Sequence, residues 1–314
     1  MLPILTITLN PALDLTTSVG RLAPLLKLRC GPVRLDPGGG GVNVSRAIKE
    51  LGGESHAFVA IGGHTGAQLR SILDRTGIEL DYWPLIEETR TSFTVMENAT
   101  RRPYRFVLPG PRVSPAEADA ILNRLAQRID KYTGFVVASG SLPPGVPDDF
   151  YGRLARRCRE LGARMIVDSH GAALRAAAAE RPYLVRLNHI EAQELLGGDS
   201  DVAAHTLARQ LVDGGLAEAA IVTVGERGAI VATQGRQVEI LPPRVEVVSG
   251  VGAGDSFVAA LTFGLASGWA VEEAARYGVA AAAAAVITEA TQLCERATVN
   301  AFFETIGGAL RPAA

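Results

Sequence analysis

The chain has 314 residues, 47% of them apolar, and a net charge of -2 from 31 basic and 33 acidic side chains. That length suits one large α/β domain, or a main domain with a small appendage, and the apolar content supports a sizeable core. So small a charge excludes an electrostatic case for nucleic acid or an acidic membrane surface as partner.

The first segment, Met1 to Leu9, lacks a basic leader and reads as a strand rather than a signal peptide. The longest apolar run, Tyr277 to Thr288, is shorter than the ~20 residues that span a bilayer, so no membrane association is expected. Three widely spaced cysteines (Cys30, Cys158, Cys294) point to reduced thiols and a cytoplasmic protein. No Cys-x-x-Cys or His/Cys cluster marks a metal site.

Strand-like runs then alternate with helical ones. The strands are Ile4–Leu9, His56–Ile61, Phe135–Ala138, Arg164–Asp168, Tyr183–Leu187, Ala220–Val224 and Gly228–Ala232. Between them fall helical runs at Val42–Leu51, Gly66–Arg75, Pro115–Ile129, Pro147–Leu161 and Val202–Val212. The C-terminal third turns helical over Asp255–Gly264, Val271–Ile287 and Thr298–Ile306. Continuous β-branched runs belong to strands buried on both faces, so the pattern predicts a doubly wound, mostly parallel sheet with helices on both faces. Ligands of such a sheet bind at the carboxyl ends of its strands. Two stretches, about 13–37 and 82–108, read instead as short polar-alternating strands, with Thr91–Met96 and Tyr104–Leu108 as a hairpin. Together they are expected to form one small sheet covering the mouth of the main domain.

The most informative stretch is Ser249-Gly250-Val251-Gly252-Ala253-Gly254-Asp255-Ser256, leading into an alanine-rich helix. Free amides and the helix dipole make such a start an anion site. A site meant only for phosphate gains nothing from the Asp255 carboxylate. A site that deprotonates a hydroxyl while steadying the phosphoryl group it attacks needs both. Asp255 as a plain helix cap explains the local pattern equally well. The stretch fits neither the GxxxxGK[ST] phosphate loop nor the GxGxxG dinucleotide fingerprint.

Other candidates lie elsewhere in the chain. Gly38, Gly39, Gly40 and Gly41 precede a helix carrying Asn43, whose amide suits sugar hydroxyls. Asp14 follows the first strand, where a carboxylate can meet hydroxyls. Lys27, Arg90 and Arg105 are candidate cations for a substrate phosphate, and a solvated surface charge is the alternative for each. Ser139 follows a buried strand and offers its hydroxyl. Asn188 with Glu191 reads either as a helix capping box or as a carboxylate reaching a hydrated Mg²⁺. Thr223 to Gly228 is a strand–turn–strand.

With Pro37-Gly38-Gly39-Gly40-Gly41-Val42-Asn43 and Gly252-Ala253-Gly254-Asp255 side by side, the chain resembles the ribokinase-like (PfkB) sugar kinases over nearly its whole length. Within them it is most similar to the minor, type 2, 6-phosphofructokinases, through Lys27–Cys30, Tyr104–Val107, Ser139–Val146 and Leu293-Cys294. The resemblance implies one kinase domain over 1–314, with Asp255 as base and the amides of Gly252, Ala253 and Gly254 holding charge on the transferred phosphoryl group. It implies that Asp14, Gly39, Asn43, Arg90 and Ser139 bind the sugar phosphate, beside Gly38, Lys27 and Arg105. It further implies that Arg186, Asn188, Thr223, Gly225 and Gly228 line an ATP site, with Glu191 supporting Mg²⁺ through water. The small sheet becomes a lid that also makes a homodimer interface.

Three departures stand out. Arg186-Leu187 replaces the usual Lys-Pro, and Ala280 to Ala285 replace a Gly- and Ser-bearing segment near the adenine. Thr288-Glu289-Ala290-Thr291-Gln292 replaces a loop that binds a monovalent cation in relatives, so potassium dependence stays open. The favoured expectation is transfer of the ATP γ-phosphate to fructose 6-phosphate. A 1-phosphofructokinase or a tagatose-6-phosphate kinase is the nearest rival. A non-turnover sugar-phosphate-binding protein of the same fold would be marked by a lost base or a broken glycine turn, and both are intact.

Overall fold

The computed structural model describes residues 1–131, 134–198, 202–289, 292–306 and 310–312. The chain opens with β1 (Ile4–Thr8), β2 (Ala12–Val19) and β3 (Arg34–Gly38), then α1 (Gly40–Glu50), β4 (His56–Gly62), α2 (Gly63–Leu73) and β5 (Glu79–Leu85). Next come β6 (Arg90–Glu97), β7 (Arg102–Val107), α3 (Pro115–Lys131), β8 (Phe135–Ser139), α4 (Phe150–Glu160) and β9 (Arg164–Asp168). The alternation continues through α5 (Gly171–Ala179), β10 (Leu184–Asn188), α6 (His189–Leu196), α7 (Ala204–Asp213) and β11 (Ala219–Thr223). It closes with β12 (Ala229–Thr233), β13 (Arg236–Ile240), α8 (Ala253–Ala266), α9 (Val271–Val286), α10 (Arg296–Ile306) and β14 (Leu310–Pro312).

The large sheet runs in the order β14-β13-β12-β11-β10-β9-β8-β1-β4-β5. Strands from β11 to β5 are parallel, and β12, β13 and β14 add an antiparallel edge. Side chains alternate across it with the period of two that strands impose. Val136, Val185 and Val222 face one side, packed with residues of α3, α4, α5 and α7. Phe135, Leu184 and Ile221 face the other, packed with α1, α8, α9 and α10. Burying each such large apolar side chain stabilises by about 1.5–3 kcal/mol. Helix α8 is apolar nearly all round and is held between α1 and α9. A rigid, buried helix is what points the Gly252–Asp255 turn at the strand ends.

The second sheet has the order β3-β2-β6-β7, with β2 and β6 parallel and both outer pairs antiparallel. Both insertions therefore contribute to it. The second insertion is shorter than its polar alternation suggested, because Tyr82 to Leu85 belong to β5. There Tyr82 pairs with Val59 of the large sheet. β5 is an edge strand packed on both faces: Leu80 and Tyr82, with Ile78 just before the strand, lie against Leu69 and Leu73 of α2, while Trp83 and Leu85 pack on the opposite face and Asp81 pairs with Arg124 and Arg128 of α3. Asp81 is paired with arginines of α3 rather than solvated, but Leu80-Asp81-Tyr82 shows the same polar alternation as a lid strand, so the pattern could not separate them. No helix among the described residues is long and apolar enough to cross a membrane.

Candidate active site

Four parallel strands end in polar residues on the same edge of the large sheet: Ser139 on β8, Asp168 on β9, Asn188 on β10 and Thr223 on β11. Above them, α1 and α8 both begin at glycine turns. Gly39 has φ of +119°, and a Cβ there would lie 2.6 Å from the Thr8 methyl. A Cβ on Gly40 would collide with Ser139, and one on Gly38 with the Asp14 carboxylate. The run of glycine is thus a packing requirement that brings β3 and α1 onto β1, β2 and β8.

Gly252 caps α8 in the left-handed region (φ 78°), and the first intrahelical bond is Ser256 N–H to Gly252 O at 2.8 Å. The amides of Ala253, Gly254 and Asp255 precede that bond and are left to a ligand. Asp255 stands in the first turn of α8, and Asn43 Nδ2 donates to its Oδ2 at 2.9 Å. Burial, then the nearby Asp168 charge, pushes the Asp255 carboxyl up to about 6, against the Asn43 hydrogen bond, Arg186 and Arg105. Burial pushes Asp14 up to about 6 as well, with Arg105 and Arg90 pulling the other way. Burial lowers the Arg90 pKa. Arg90 donates from Nη2 to Asn10 O at 3.0 Å and from Nη1 to Leu108 O at 3.3 Å, tying the start of β6 to the main domain.

Two cavities meet here. A polar one of about 460 Å³ is lined by Asp14, Gly39, Asn43, Arg90, Arg105 and Ser139, with Asp168, Glu191, Gly252 and Asp255. A larger one of about 790 Å³ is lined by Thr223, Gly225, Gly228 and an apolar wall of Val247, Phe257, Val279, Ala282 and Val286. Arg186 and Gly254 line both cavities. Arg186 pairs with Asp168 at 3.2 Å, donates to Thr223 Oγ1 at 3.1 Å, and lies over the Phe257 ring at 5.7 Å.

Lys27 sits on the exposed connection between β2 and β3 and lines neither cavity; Gly38 ends β3 against Asp14. Asn188 and Glu191 make a full capping box on α6: Asn188 Oδ1 accepts from Glu191 N–H at 2.9 Å, and Glu191 Oε2 accepts from Asn188 N–H at 2.7 Å. Glu191 nonetheless faces the polar cavity, and burial raises its carboxyl, as does Asp168. Such a carboxylate gains from a hydrated cation beside it. Among the described residues no group of three His, Cys, Asp or Glu could hold a metal alone. Of the segment 288–292, Ala290 and Thr291 lie outside the described residues.

Asp168 was missed as a site residue, although a carboxylate ending a buried parallel strand is the signal that would have found it. Of the apolar wall, Ala282 falls in the segment expected near the adenine, whereas Phe257, Val279 and Val286 were missed, because they read as core from the sequence and meet at a cavity only where α8 and α9 pack together.

The arrangement has the parts phosphoryl transfer uses: an acidic residue at an amide cradle, beside a polar cavity lined by carboxylates and arginines and a larger one with an apolar wall. Residues 7–298 match the model of the pfkB family carbohydrate kinases. The chain is 43% identical to ATP-dependent 6-phosphofructokinase isozyme 2 of Mycobacterium tuberculosis (strain ATCC 25618 / H37Rv), over 96% of its own length and 89% of the relative's. It superposes with a TM-score of 0.90 on phosphofructokinase-2 from Escherichia coli in complex with fructose-6-phosphate, at 34% identity, covering 98% of this chain and 99% of that one. It is also 31% identical to 1-phosphofructokinase of Bacillus subtilis (strain 168), over 91% of this chain and 93% of the relative. The chain belongs to the pfkB family of carbohydrate kinases.

Proposed function

We propose that the protein transfers the γ-phosphoryl group of ATP to the free primary hydroxyl of fructose 6-phosphate, giving fructose 1,6-bisphosphate and ADP. The observation that carries this is the position of Asp255, in the helix turn where the polar cavity meets the apolar one. In this reading the sugar phosphate occupies the polar cavity. Arg90 and Arg105 face its phosphate, while Asp14, Asn43 and Ser139 hold its hydroxyls. The nucleotide lies in the larger cavity with its base on the apolar wall and its phosphates toward Arg186 and the α8 amides. Asp255 accepts the proton of the attacking hydroxyl, and the amides after Gly252 take up charge on the transferring group. Glu191 would hold Mg²⁺ through water, where the cation neutralises charge on the nucleotide phosphates.

A coupled assay with ATP and fructose 6-phosphate, fructose 1-phosphate or tagatose 6-phosphate tests the reading. Fructose 6-phosphate should have the highest kcat/KM; preference for either of the others would overturn the substrate. The 1-phosphofructokinase alternative draws its support from the Bacillus subtilis likeness. A homodimer through the small sheet is supported by Tyr104, Phe106, Val107 and Leu108, which are exposed on or beside β7. Phe106→Asp should then sediment as a monomer, and an unchanged mass would exclude that interface. A cytoplasmic location is consistent with three free cysteines.

A further inference from the structure

Arg46 lies on α1, one turn beyond Asn43, and lines neither cavity. Its Nη1 donates to Pro37 O at 3.1 Å and to Asn43 Oδ1 at 3.2 Å. A guanidinium can only donate and a carboxylate can only accept. The Asn43 atom facing Arg46 must therefore be its oxygen, which leaves Nδ2 for Asp255 Oδ2 at 2.9 Å. From Arg46 through Asn43 to Asp255, the hydrogen bonds admit one polarity only. We propose that Arg46 is a positioning residue, which fixes the Asn43 side-chain amide so that its N–H, not its oxygen, meets the Asp255 carboxylate. The proposal rests on the reading of Asp255 as the base.

The surroundings give the amide its importance. Asp255 faces the like charge of Asp168 from β9, and the cations Arg186 from β10 and Arg105 from β7, besides Asn43 from α1. Arg46 is surrounded by carboxylates: Asp36 from β3, Glu50 on its own helix, Asp14 from β2 and Asp255 from α8. Without the guanidinium, only the Asp255 carboxylate itself selects the amide orientation, and that selection is lost once Asp255 is protonated and can donate to the Asn43 oxygen. A flipped Asn43 would set its oxygen against Asp255 Oδ2, replacing a bond that favours the charged base by a contact that opposes it.

The test follows Asp255 by NMR of protein carrying ¹³C-labelled aspartate, without substrates, with Asp255→Asn assigning the signal. Arg46→Met should raise the Asp255 titration midpoint by about one unit. Arg46→Gln keeps a donor for the Asn43 oxygen and should raise it by less. In an Asn43→Ala background, where the amide is gone, Arg46→Met should add little. The kinetic counterpart is a kcat about fivefold lower near pH ~6, approaching tenfold near pH ~5, that recovers above pH ~8, with KM for both substrates nearly unchanged. A folded Arg46→Met protein with an unmoved midpoint would overturn the proposal. So would a shift that persists in Asn43→Ala, which would mean direct action of charge, or a loss equal at every pH, which would mean packing alone. If Arg46→Met does not fold, Arg46→Gln and Arg46→Lys decide on the same readouts. Because the NMR signal needs no turnover, full activity of Asp255→Asn would remove the base reading and leave the Arg46 result standing.

Discussion

Arg186 and Asp168 form an ion pair of 3.2 Å where the two cavities meet, with each side chain about one-seventh exposed (16% and 14%). Removing one member of so enclosed a pair leaves the other charge stranded, at a cost of up to ~3–5 kcal/mol. Arg186→Ala is therefore expected to lower Tm and to raise KM for ATP about tenfold or more. Arg186→Lys should restore much of the stability and less of the affinity. A single ammonium does not reproduce the forked contact with Asp168 and Thr223. Thermal melts and ATP titrations at saturating sugar phosphate check both, and equal ATP affinity in all three proteins would refute a role for Arg186 at the phosphates.

Asp255→Asn should cost at least ~10²-fold in kcat while the fold survives. The pH dependence of the parent follows from the same residue. Asp255 and Asp14 both titrate near 6, so kcat/KM should fall below about pH 6, more steeply than one proton if both must be charged. Their native values lie above the unfolded ones, so the folded state binds these protons more tightly. Stability contributed by the two groups is therefore full below the unfolded carboxylate range and is lost as pH rises toward 6. Asp255→Asn removes its part of that loss and should melt above the parent at pH ~8, with the gap closing near pH ~4. A lower melting temperature at pH ~8 would contradict the burial argument.

Ala282 lines the larger cavity from α9, where the proposed reading puts the nucleotide. Ala282→Leu adds bulk where the base is placed, so KM for ATP should rise about tenfold, in line with the 1–3 kcal/mol that overpacking costs. KM for the sugar phosphate, which depends on the other cavity, should stay within about twofold. A change confined to the sugar side would mean that the two cavities have been assigned the wrong way round.

Gly40→Ala places a methyl group on Ser139 and should destabilise by about 1–3 kcal/mol while raising KM for the sugar phosphate. Gly250→Ala is the control. A Cβ there meets nothing within 4 Å, and stability should stay within about 0.5 kcal/mol. Chemical denaturation of the two variants separates a packing requirement from a general intolerance of the glycine turns.

The local sequence carried most of the alternation of strands and helices, the two glycine turns and the identity of Asp255 as an acid at a helix start. Those features depend on residues within a few positions of each other: β-branched runs, missing Cβ atoms, a carboxylate beside free amides. Tertiary structure alone decided where Tyr82 belongs, because a polar residue alternating with apolar ones looks the same whether a helix or water faces it, and Asp81 meets Arg124 and Arg128 of α3. It alone brought Asp168 beside Arg186 and Asn43 beside Asp255, 212 positions apart in the chain. Whether Glu191 caps a helix or faces the site was undecidable from spacing, and it does both. Burial, which pushes Asp14 and Asp255 toward neutral pH, is a property of the packed molecule. No window of sequence contains it.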